Sequence, residues 1–339
     1  MLYLTGDVCF TDNHFDIGFG VGSSIEQGLN PFYNIKKGDG DCWIGNFECV
    51  ASNQTIHSNY RKDSFRIDPS KIAHCQLFDY FGIANNHVME HGADAYAEMI
   101  EKLKCICKDT FGSRAQKSIT FNHRNKKVSI TGFSQRRDES NMHPNYWSFP
   151  DFNDVEQEYK QLESDVKIAY IHWGVEFINY PSIEQQHYAH WLIDLGFDLI
   201  IGMHPHILQG YEIYKGKHIF YSLGNFVFNM AYLPTKYSIV VGVDIEHMEV
   251  SYRYVHIGED YSPSLINETN VPEQFRLYNL NKLIGIEQNP ETYIHKADKS
   301  LRLYRKAHHR AFIKNIYRYN MGVMFAIVVD FIKRKIYGN

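Results

Sequence analysis

The stretch that decides the fold is Leu199-Ile200-Ile201-Gly202-Met203-His204-Pro205-His206. Three consecutive branched apolar residues are typical of a buried strand, and the glycine after them is typical of a strand end. Neutral imidazole is a common protein ligand for metals, so the two histidines predict a strand that carries metal ligands at its carboxyl end. A structural role, in which the two histidines satisfy each other's hydrogen bonds at a turn, stays open from this stretch alone.

Five other short apolar runs, over residues 2–5, 42–45, 78–84, 166–171 and 219–223, are predicted strands that end in a similar way. Each is followed by Asp, Glu, Asn or His, which are hard or borderline metal ligands. In layered α/β folds the carboxyl ends of parallel strands meet at one edge of the sheet, and ligands bind there. We therefore predict a single site at these strand ends. The polar residues that would meet there are Asp7, Asn46, Glu48, Asn85, Asn86, His87, His172 and Asn225.

Segments with a helical period separate these strands over the first 258 residues. Residues 93–107 and 184–195 place apolar side chains at steps of three and four, and Ser182 with Gln185 forms a predicted capping box. Residues 237–257 contain two β-rich runs that we predict to be late antiparallel strands. The pattern predicts an α/β fold, a layered β-sandwich flanked by helices, over residues 1–258.

Residues 259–339 are predicted to form a helical C-terminal extension. Residues 273–283 and 297–335 have a helical period, and the second segment is rich in Lys and Arg. The apolar run 321–332 contains Asp330 and is too short to span a bilayer. A docking helix or a contact in a homo-oligomer is the ordinary expectation for such a segment. Peripheral attachment to a membrane or to a synthase is the alternative.

Composition narrows the class of protein. A chain of 339 residues can bury a large core, and its net charge of -4 gives no sign of a nucleic-acid partner. The six cysteines lack the paired spacing of a zinc ribbon, so we expect reduced, mostly buried thiols. No leader peptide precedes the first predicted strand. We therefore expect a cytoplasmic protein, with the inner face of the membrane as the alternative location.

The ordered motifs resemble those of the bacterial capsule-synthesis CapA family, which is named for poly-γ-glutamate capsule biosynthesis proteins. That family is similar in fold to the calcineurin-like metallophosphoesterases. The resemblance covers residues 2–245 and implies a metallophosphatase-like sandwich with one or two divalent ions, expected to be Mn, Fe or Zn. The motifs are Gly6-Asp7-Val8, Asn46-Phe47-Glu48, Ala84-Asn85-Asn86-His87, His172-Trp173-Gly174-Val175-Glu176, Gly202-Met203-His204-Pro205-His206 and Ser222-Leu223-Gly224-Asn225-Phe226.

The resemblance also implies roles for individual residues. His87 is the implied general acid, and Glu176 is predicted to be catalytic, by orienting His172 or by binding an amine of the substrate. Trp173 is expected to line a substrate pocket, or alternatively to close the core over the sheet. The other predicted substrate-binding residues are Asn46, Asn85 and Asn225. The implied metal ligands are Asp7, Glu48, Asn86, His172, His204 and His206.

One position departs from the phosphoesterase pattern. Those enzymes usually have a histidine two residues after the first aspartate, whereas this chain has Cys9. One metal site thereby loses a ligand, and Glu48 in place of the usual bridging aspartate changes the reach by about one methylene. A single ion or a weakly metallated site is therefore the alternative to two ions. Cys9 is expected to be a small buried residue rather than a ligand.

Four arginines, Arg61, Arg66, Arg136 and Arg137, fall in predicted loops. Solvated side chains are the default expectation for them, and contact with a phosphate or a polymer carboxylate is the alternative.

Three functions are compatible with these residues. The first is a metal-dependent hydrolase of the CapA type that cleaves a phosphoester or amide bond of an anionic polymer, or of its small-molecule precursor, in capsule or exopolymer biosynthesis. The second is a non-hydrolytic accessory protein that binds a polymer or a synthase. The third is a metal-independent acid/base enzyme such as an epimerase, in which His87 and either His206 or Glu48 move protons. The number of convergent ligands favours the first, and Cys9 weakens it.

Overall fold

The computed structural model describes residues 1–13, 16–57, 63–73, 75–136, 143–286 and 289–337. Two β-sheets pack face to face, and helices cover their outer faces. The layers therefore run helix, sheet, sheet, helix. The predicted fold class, a layered α/β sandwich flanked by helices, is confirmed.

The first sheet combines parallel and antiparallel strands. Its strands are β1 Leu2–Val8, β2 Cys42–Phe47, β5 Tyr80–Gly82, β6 Asp109–Phe111, β13 Asn225–Val227, β14 Tyr237–Asp244, β15 Glu249–Ile257 and β16 Pro263–Ile266. The order is β16-β15-β14-β1-β2-β5-β6, with β13 also paired to β1. Strands β14 and β15 are antiparallel, as predicted for residues 237–257. A separate short ribbon pairs β3 Val50–Ala51 with β4 Arg66–Ile67.

The second sheet has a parallel centre and two antiparallel edges. Its strands are β7 Ser118–His123, β8 Lys126–Ser134, β9 Val166–His172, β10 Leu199–Met203, β11 Tyr211–Tyr214 and β12 Lys217–Phe220. The order is β11-β12-β10-β9-β8-β7. Strands β8, β9, β10 and β12 run parallel, so their carboxyl ends lie at the same edge.

Seven α-helices lie within the described residues. Their bounds are α1 Val21–Glu26, α2 Ala93–Leu103, α3 Phe152–Lys160, α4 Ile183–Leu195, α5 Leu277–Asn281, α6 Pro290–Lys314 and α7 Met321–Tyr337. The predicted capping box is confirmed, because the Ser182 hydroxyl accepts from the Gln185 N–H and the Gln185 side chain accepts from the Ser182 N–H. It fixes the start of α4.

The period of two along each strand divides its side chains between layers. In β9, Ile168 and Tyr170 face the core between the sheets, whereas Ala169 and Ile171 face the layer that contains α4. Strands that are buried on both faces need apolar residues at successive positions. This explains why the site-bearing strands read as continuous apolar runs.

Residues 259–337 contain more breaks than predicted. The segment predicted as one helix over 273–283 is a 3-10 turn, Glu273–Phe275, followed by α5. The segment predicted as one helix over 297–335 is divided into α6 and α7 by a second 3-10 turn, Ile316–Arg318. The boundary at residue 258 stays a prediction; β16 lies beyond it on the edge of the first sheet. Among the described residues, no helix has both the length and the apolar character that a bilayer span requires.

The prediction of one strand over residues 219–223 that ends at Asn225 is wrong. The chain leaves the second sheet after β12 and enters the first sheet at β13, where Asn225 pairs in register with Asp7. Two glycines permit this crossing. Gly224 has a φ of 75°, and a Cβ on Gly6 would lie 1.7 Å from the Gly224 carbonyl oxygen. The crossing therefore requires glycine at both positions.

Candidate metal centre

Strand ends from both sheets meet at one point. Asp7 is near the end of β1, Glu48 follows β2, His172 ends β9, and His204 and His206 follow β10. All five residues are at most 2% exposed. Parallel strands from the two sheets thus bring two carboxylates and three imidazoles together in a buried space.

The ligand atoms form three overlapping groups, and within each group all atoms lie within 4.8 Å of one another. Glu48 belongs to two of these groups, and so do His204 and His206. The cluster is therefore compatible with metal binding, in an arrangement that offers more than one ion position. The groups are Glu48 with His172 and His204, Asp7 with Glu48 and His206, and Glu176 with His204 and His206.

Glu48 is the least satisfied group of the site. Neither carboxylate oxygen has a hydrogen-bond partner within the described part of the chain, although the residue is 0% exposed. Its Oε1 lies 3.8 Å from Nε2 of both His87 and His172 and 3.9 Å from Nε2 of His206. These distances are too long for hydrogen bonds, but atoms that bind one ion through bonds of about 2.0–2.2 Å are separated by similar distances.

The two buried carboxylates differ in pKa. Burial raises the pKa of Asp7, but the hydrogen bond from His206 and the charges of His206 and His172 outweigh it, so the Asp7 pKa lies below its ordinary value. Burial and the charge of Asp7 hold the pKa of Glu48 well above its ordinary value. Two carboxylates in one dry space cannot both ionise easily unless a cation compensates them.

The three imidazoles also differ in pKa, because their surroundings differ. Burial holds the pKa of His172 and His204 well below the ordinary value, so both are neutral near pH 7. The Nδ1 atom of His204 has no hydrogen-bond partner in the described residues. Burial lowers the pKa of His206, but its contact with Asp7 outweighs burial and the pKa is raised. Neutral imidazoles are the form that binds metals.

Asparagine side chains position the ligands. Asn46 Nδ2 donates to Asp7 Oδ1 at 2.8 Å, and Asn85 Nδ2 donates to Asn46 Oδ1 at 3.0 Å. Asn225 Oδ1 lies 3.0 Å from Nδ1 of His206, which leaves Nε2 of that ring facing Glu48. Such outer contacts fix ring orientation and tautomer in metal sites.

Those three asparagines were predicted to bind substrate, but their side chains are buried among the residues around the cluster. Asn46, Asn85 and Asn225 are at most 1% exposed; Asn46 and Asn225 contact ligand residues, and Asn85 contacts Asn46. Asn86, predicted as a ligand, is half-buried and its Oδ1 lies 3.0 Å from His172 Nε2. It therefore stands at the open side of the cluster.

His87, the predicted general acid, is held from two sides. Its Nδ1 lies 2.5 Å from Glu90 Oε1, and its ring stacks on Phe65 with 3.9 Å between centroids. The remaining nitrogen, Nε2, faces Glu48. Glu90 was not predicted from the sequence, although its spacing of three residues from His87 is a signal that could have identified it.

The backbone is strained where the His pair enters the site. His204 has a φ of 99° and His206 a φ of 58°, both in the region that favours glycine. Each such residue costs on the order of 1–3 kcal/mol and persists when the surrounding structure enforces it. The turn around Pro205 therefore directs two imidazoles into the cluster, and its strained backbone reduces stability. Such strain is typical of functional sites.

Glu176 and Arg136 lie at the mouth of the cluster. Glu176 forms a ligand group with His204 and His206, so the structure adds metal binding to its predicted roles. Arg136 Nη2 lies 3.7 Å from Glu176 Oε1, and both side chains are about a third exposed, at 33% and 34%. Of the other arginines, Arg66 pairs with Asp63. Arg61 and Arg137 lie outside the described residues.

Trp173 does not face the site. Its indole is 1% exposed, stacks on Tyr221 and donates to the Tyr221 carbonyl oxygen at 2.9 Å. The period of two along β9 directs His172 and Trp173 to opposite faces, so Trp173 closes the core rather than binding substrate. Cys9 packs in the core beside Thr11, with 3.1 Å between Sγ and Oγ1, and is in none of the ligand groups found among the described residues.

Comparison with known proteins places the chain in a family. Residues 1–230 match the family described as bacterial capsule synthesis protein PGA_cap. The chain belongs to this family. The match includes all the residues of the cluster described above. The resemblance found in the sequence motifs is thereby confirmed.

Two curated relatives from Bacillus match this chain over part of their own length. The chain is 30% identical over 239 residues to the PGA biosynthesis protein CapA of Bacillus subtilis, a match that covers 64% of this chain and 60% of that protein. It is 31% identical over 178 residues to the capsule biosynthesis protein CapA of Bacillus anthracis, covering 48% and 43%. A phosphatase from Mycoplasma pneumoniae has a TM-score of 0.48 and 13% identity, covering 76% and 92%. The chain thus spans less than two thirds of the curated relatives it matches.

Proposed function

We propose that this protein is a metal-dependent hydrolase that cleaves a phosphoester or amide bond of an anionic polymer, or of its small-molecule precursor, in capsule or exopolymer biosynthesis. The observation that carries the proposal is Glu48, whose two buried oxygens lack hydrogen-bond partners within the described residues and whose Oε1 faces three imidazole nitrogens. A divalent cation satisfies both the carboxylate and the neutral imidazoles. The names of the Bacillus relatives support the choice of pathway.

The residues present fit a metal. Carboxylate oxygen with imidazole nitrogen is the donor set of Mn, Fe and Zn sites, and we propose one or two such ions. Glu48, His172 and His204 would hold one ion, and Asp7, Glu48 and His206 a second. Bound ions would supply Lewis acidity toward the substrate and make an attacking water more acidic.

His87 is the residue that we propose to transfer a proton. The contact of Nδ1 with Glu90 fixes the ring, and the stack on Phe65 holds its plane. With Nδ1–H donating to Glu90, the doubly protonated ring carries its second proton on Nε2, which faces the cluster; transfer of that proton to a leaving oxygen or nitrogen would return His87 to the neutral form. Glu90 acts through His87 and is a positioning residue.

Arg136 is proposed to bind the charged part of the substrate. Its guanidinium is partly exposed beside the cluster, and its ion pair within the described part of the chain is a 3.7 Å contact with Glu176. A phosphate or carboxylate of the substrate can form shorter, bidentate hydrogen bonds with it. Glu176 would then be free to bind an ion or an amine of the substrate.

The geometry is less compatible with the metal-independent alternative. That alternative moves protons through His87 and either His206 or Glu48, and it leaves two further buried, neutral imidazoles, His172 and His204, without a role. Two imidazoles that stay neutral each offer an unprotonated ring nitrogen, which is well suited to bind an ion. The accessory-protein alternative predicts the same metal content as the hydrolase proposal but no turnover of substrate.

The first experiment is metal analysis of the purified protein. Protein prepared without chelator is expected to contain about one or two equivalents of Mn, Fe or Zn by inductively coupled plasma mass spectrometry. Asp7→Ala and His204→Ala should lose that metal. His247→Ala is the matched control, because His247 is exposed and pairs only with Asp244 in the described structure.

Activity is then measured on the metal-loaded protein. Phosphodiester, phosphomonoester and γ-glutamyl amide substrates should separate the two reaction types. Metal that is bound without any turnover of these substrates would support the accessory role. A wild-type protein that stays free of metal after loading would refute the hydrolase proposal.

A further inference from the structure

The C-terminal helices expose a large apolar surface. Eight large apolar side chains between residues 303 and 332 are 46–82% exposed. On α7, Met321, Phe325, Val328 and Ile332 follow steps of four, three and four, which places them on one face of the helix. A contiguous apolar face of this kind usually marks a surface that another body covers.

The same segment carries a concentrated positive charge. Residues 290–339 contain eleven Lys or Arg and three acidic residues, a net charge of +8. The whole chain carries -4, so residues 1–289 carry -12. This separation gives the molecule one basic end and an acidic body.

Three basic side chains of α6 are available to bind an anion. Lys306, Arg310 and Lys314 are exposed, lie one turn apart, and line a groove of about 470 Å³ with Tyr232 and Leu233. None of the three forms an ion pair with any residue that the structure describes. They therefore present unneutralised charge beside exposed apolar groups.

We propose that α6 and α7 dock on an anionic membrane surface. Exposed apolar side chains beside Lys and Arg are typical of helices that lie in the membrane interface. A second copy of this chain is a poorer occupant, because it would oppose two segments of +8 charge. The acidic body would be repelled by the same lipids, so the protein would lie with its helical end toward the surface.

Docking would hold the metal centre close to the membrane. On its inner side α6 carries Tyr304, whose ring stacks on Phe177 at 4.2 Å, and Phe177 lies 6.1 Å from the His206 ring. A helix is about 10–12 Å across, so one helix separates the lipid surface from the wall of the site. Provided that the proposed hydrolase function holds, this placement favours a substrate that is itself held at the membrane surface.

Vesicle flotation of the full chain tests the docking. We expect binding to vesicles in which about a third of the lipid is phosphatidylglycerol, weak binding to phosphatidylcholine alone, and release by high salt. Each basic side chain near such a surface contributes about fivefold in the binding constant, so loss of three should weaken binding about a hundredfold; a K306E/R310E/K314E variant, which also adds three negative charges, should bind at least that much more weakly. A K102E/K104E/K127E variant carries the same change in net charge on other exposed lysines and should bind like wild type.

A second variant tests the apolar contribution. Met321→Ser with Phe325→Ser should also weaken binding to the anionic vesicles, with unchanged circular dichroism and metal content. The proposal is overturned if wild type does not float with anionic vesicles, or if both charge variants lose binding equally. It is also overturned if ultracentrifugation without lipid shows a dimer that Phe325→Ser dissociates. Metal content reports on the proposed function independently of each of these outcomes.

Discussion

Replacing Glu48 by Gln should stabilise the metal-free protein. In wild type a fully buried carboxylate has no hydrogen-bond partner among the described residues and stands within 4.8 Å of Asp7. The substitution keeps the shape, removes the ionisable carboxyl beside Asp7 and adds an amide that can donate to Asp7. An unsatisfied buried group costs about 1–3 kcal/mol, so the free energy of unfolding should rise by about that amount. The melting temperature should then rise by about 2–6 °C at pH 8 in chelator.

The order of stabilities should reverse when metal is added. At a free metal concentration a thousandfold above Kd, wild type gains about 4 kcal/mol from binding, whereas Glu48→Gln lacks the shared ligand and gains little. That gain exceeds the about 1–3 kcal/mol by which the variant leads in chelator. Differential scanning fluorimetry with chelator and with Mn²⁺ or Zn²⁺ measures both melting temperatures on the same samples.

Asp79→Asn is the matched control. The Asp79 carboxylate is also buried, but it pairs with Lys37 at 2.6 Å and Lys108 at 3.0 Å and accepts from the Trp43 N–H. Its loss should destabilise the protein by about 1–3 kcal/mol with and without metal. If Glu48→Gln behaved like Asp79→Asn, with the same destabilisation in chelator and in metal, the interpretation of Glu48 as a metal ligand would be refuted.

Three further results are expected. The pKa of Glu48 is raised in the folded state, so its contribution to the stability of the metal-free protein is full below its ordinary pKa and is lost as pH rises through the folded pKa. Urea unfolding from pH 4 upward should show this loss of stability in wild type. Glu48→Gln should not show it. His87→Asn should lower kcat by about 10²–10⁴-fold with unchanged metal content, since His87 is proposed to transfer a proton; equal loss of metal would contradict that role. Asn225→Ala should weaken metal affinity by about 10–100-fold in a competition titration with a chelating dye, because Nδ1 of His206 loses its 3.0 Å contact and keeps the longer 3.4 Å contact with Asp7; unchanged affinity would show that Asp7 alone orients the ring.

Much of the fold could be predicted from the sequence because it depends on local pattern. Strands that are buried on both faces read as apolar runs, and the capping box marks the start of α4 within one residue. The breaks in the C-terminal helices were missed because apolar periodicity continues through the turn at Ile316–Arg318. Periodicity reports which face is apolar and not whether the backbone stays helical.

The chemical character of the site also followed from the sequence, because acids, amides and imidazoles cluster after short strands. The role of each individual residue did not follow from the sequence. The sequence pattern places Asn225 at the end of a strand over 219–223, whereas the chain crosses to the other sheet through Gly224 and brings Asn225 to His206. Trp173 belonged to a promising motif but points to the opposite face of β9 from His172.

The sequence by itself determined which residue types stand at strand ends, and hence that one edge of the sandwich carries ligands. This information is local, because strand identity and side-chain chemistry depend on neighbouring residues. Only the tertiary structure decided that Glu48 is left without hydrogen-bond partners in the described residues, that Glu90 holds His87, and that α6 covers one wall of the site. Those relations join residues that are distant along the chain or depend on how each side chain is turned, and packing fixes them where sequence pattern does not.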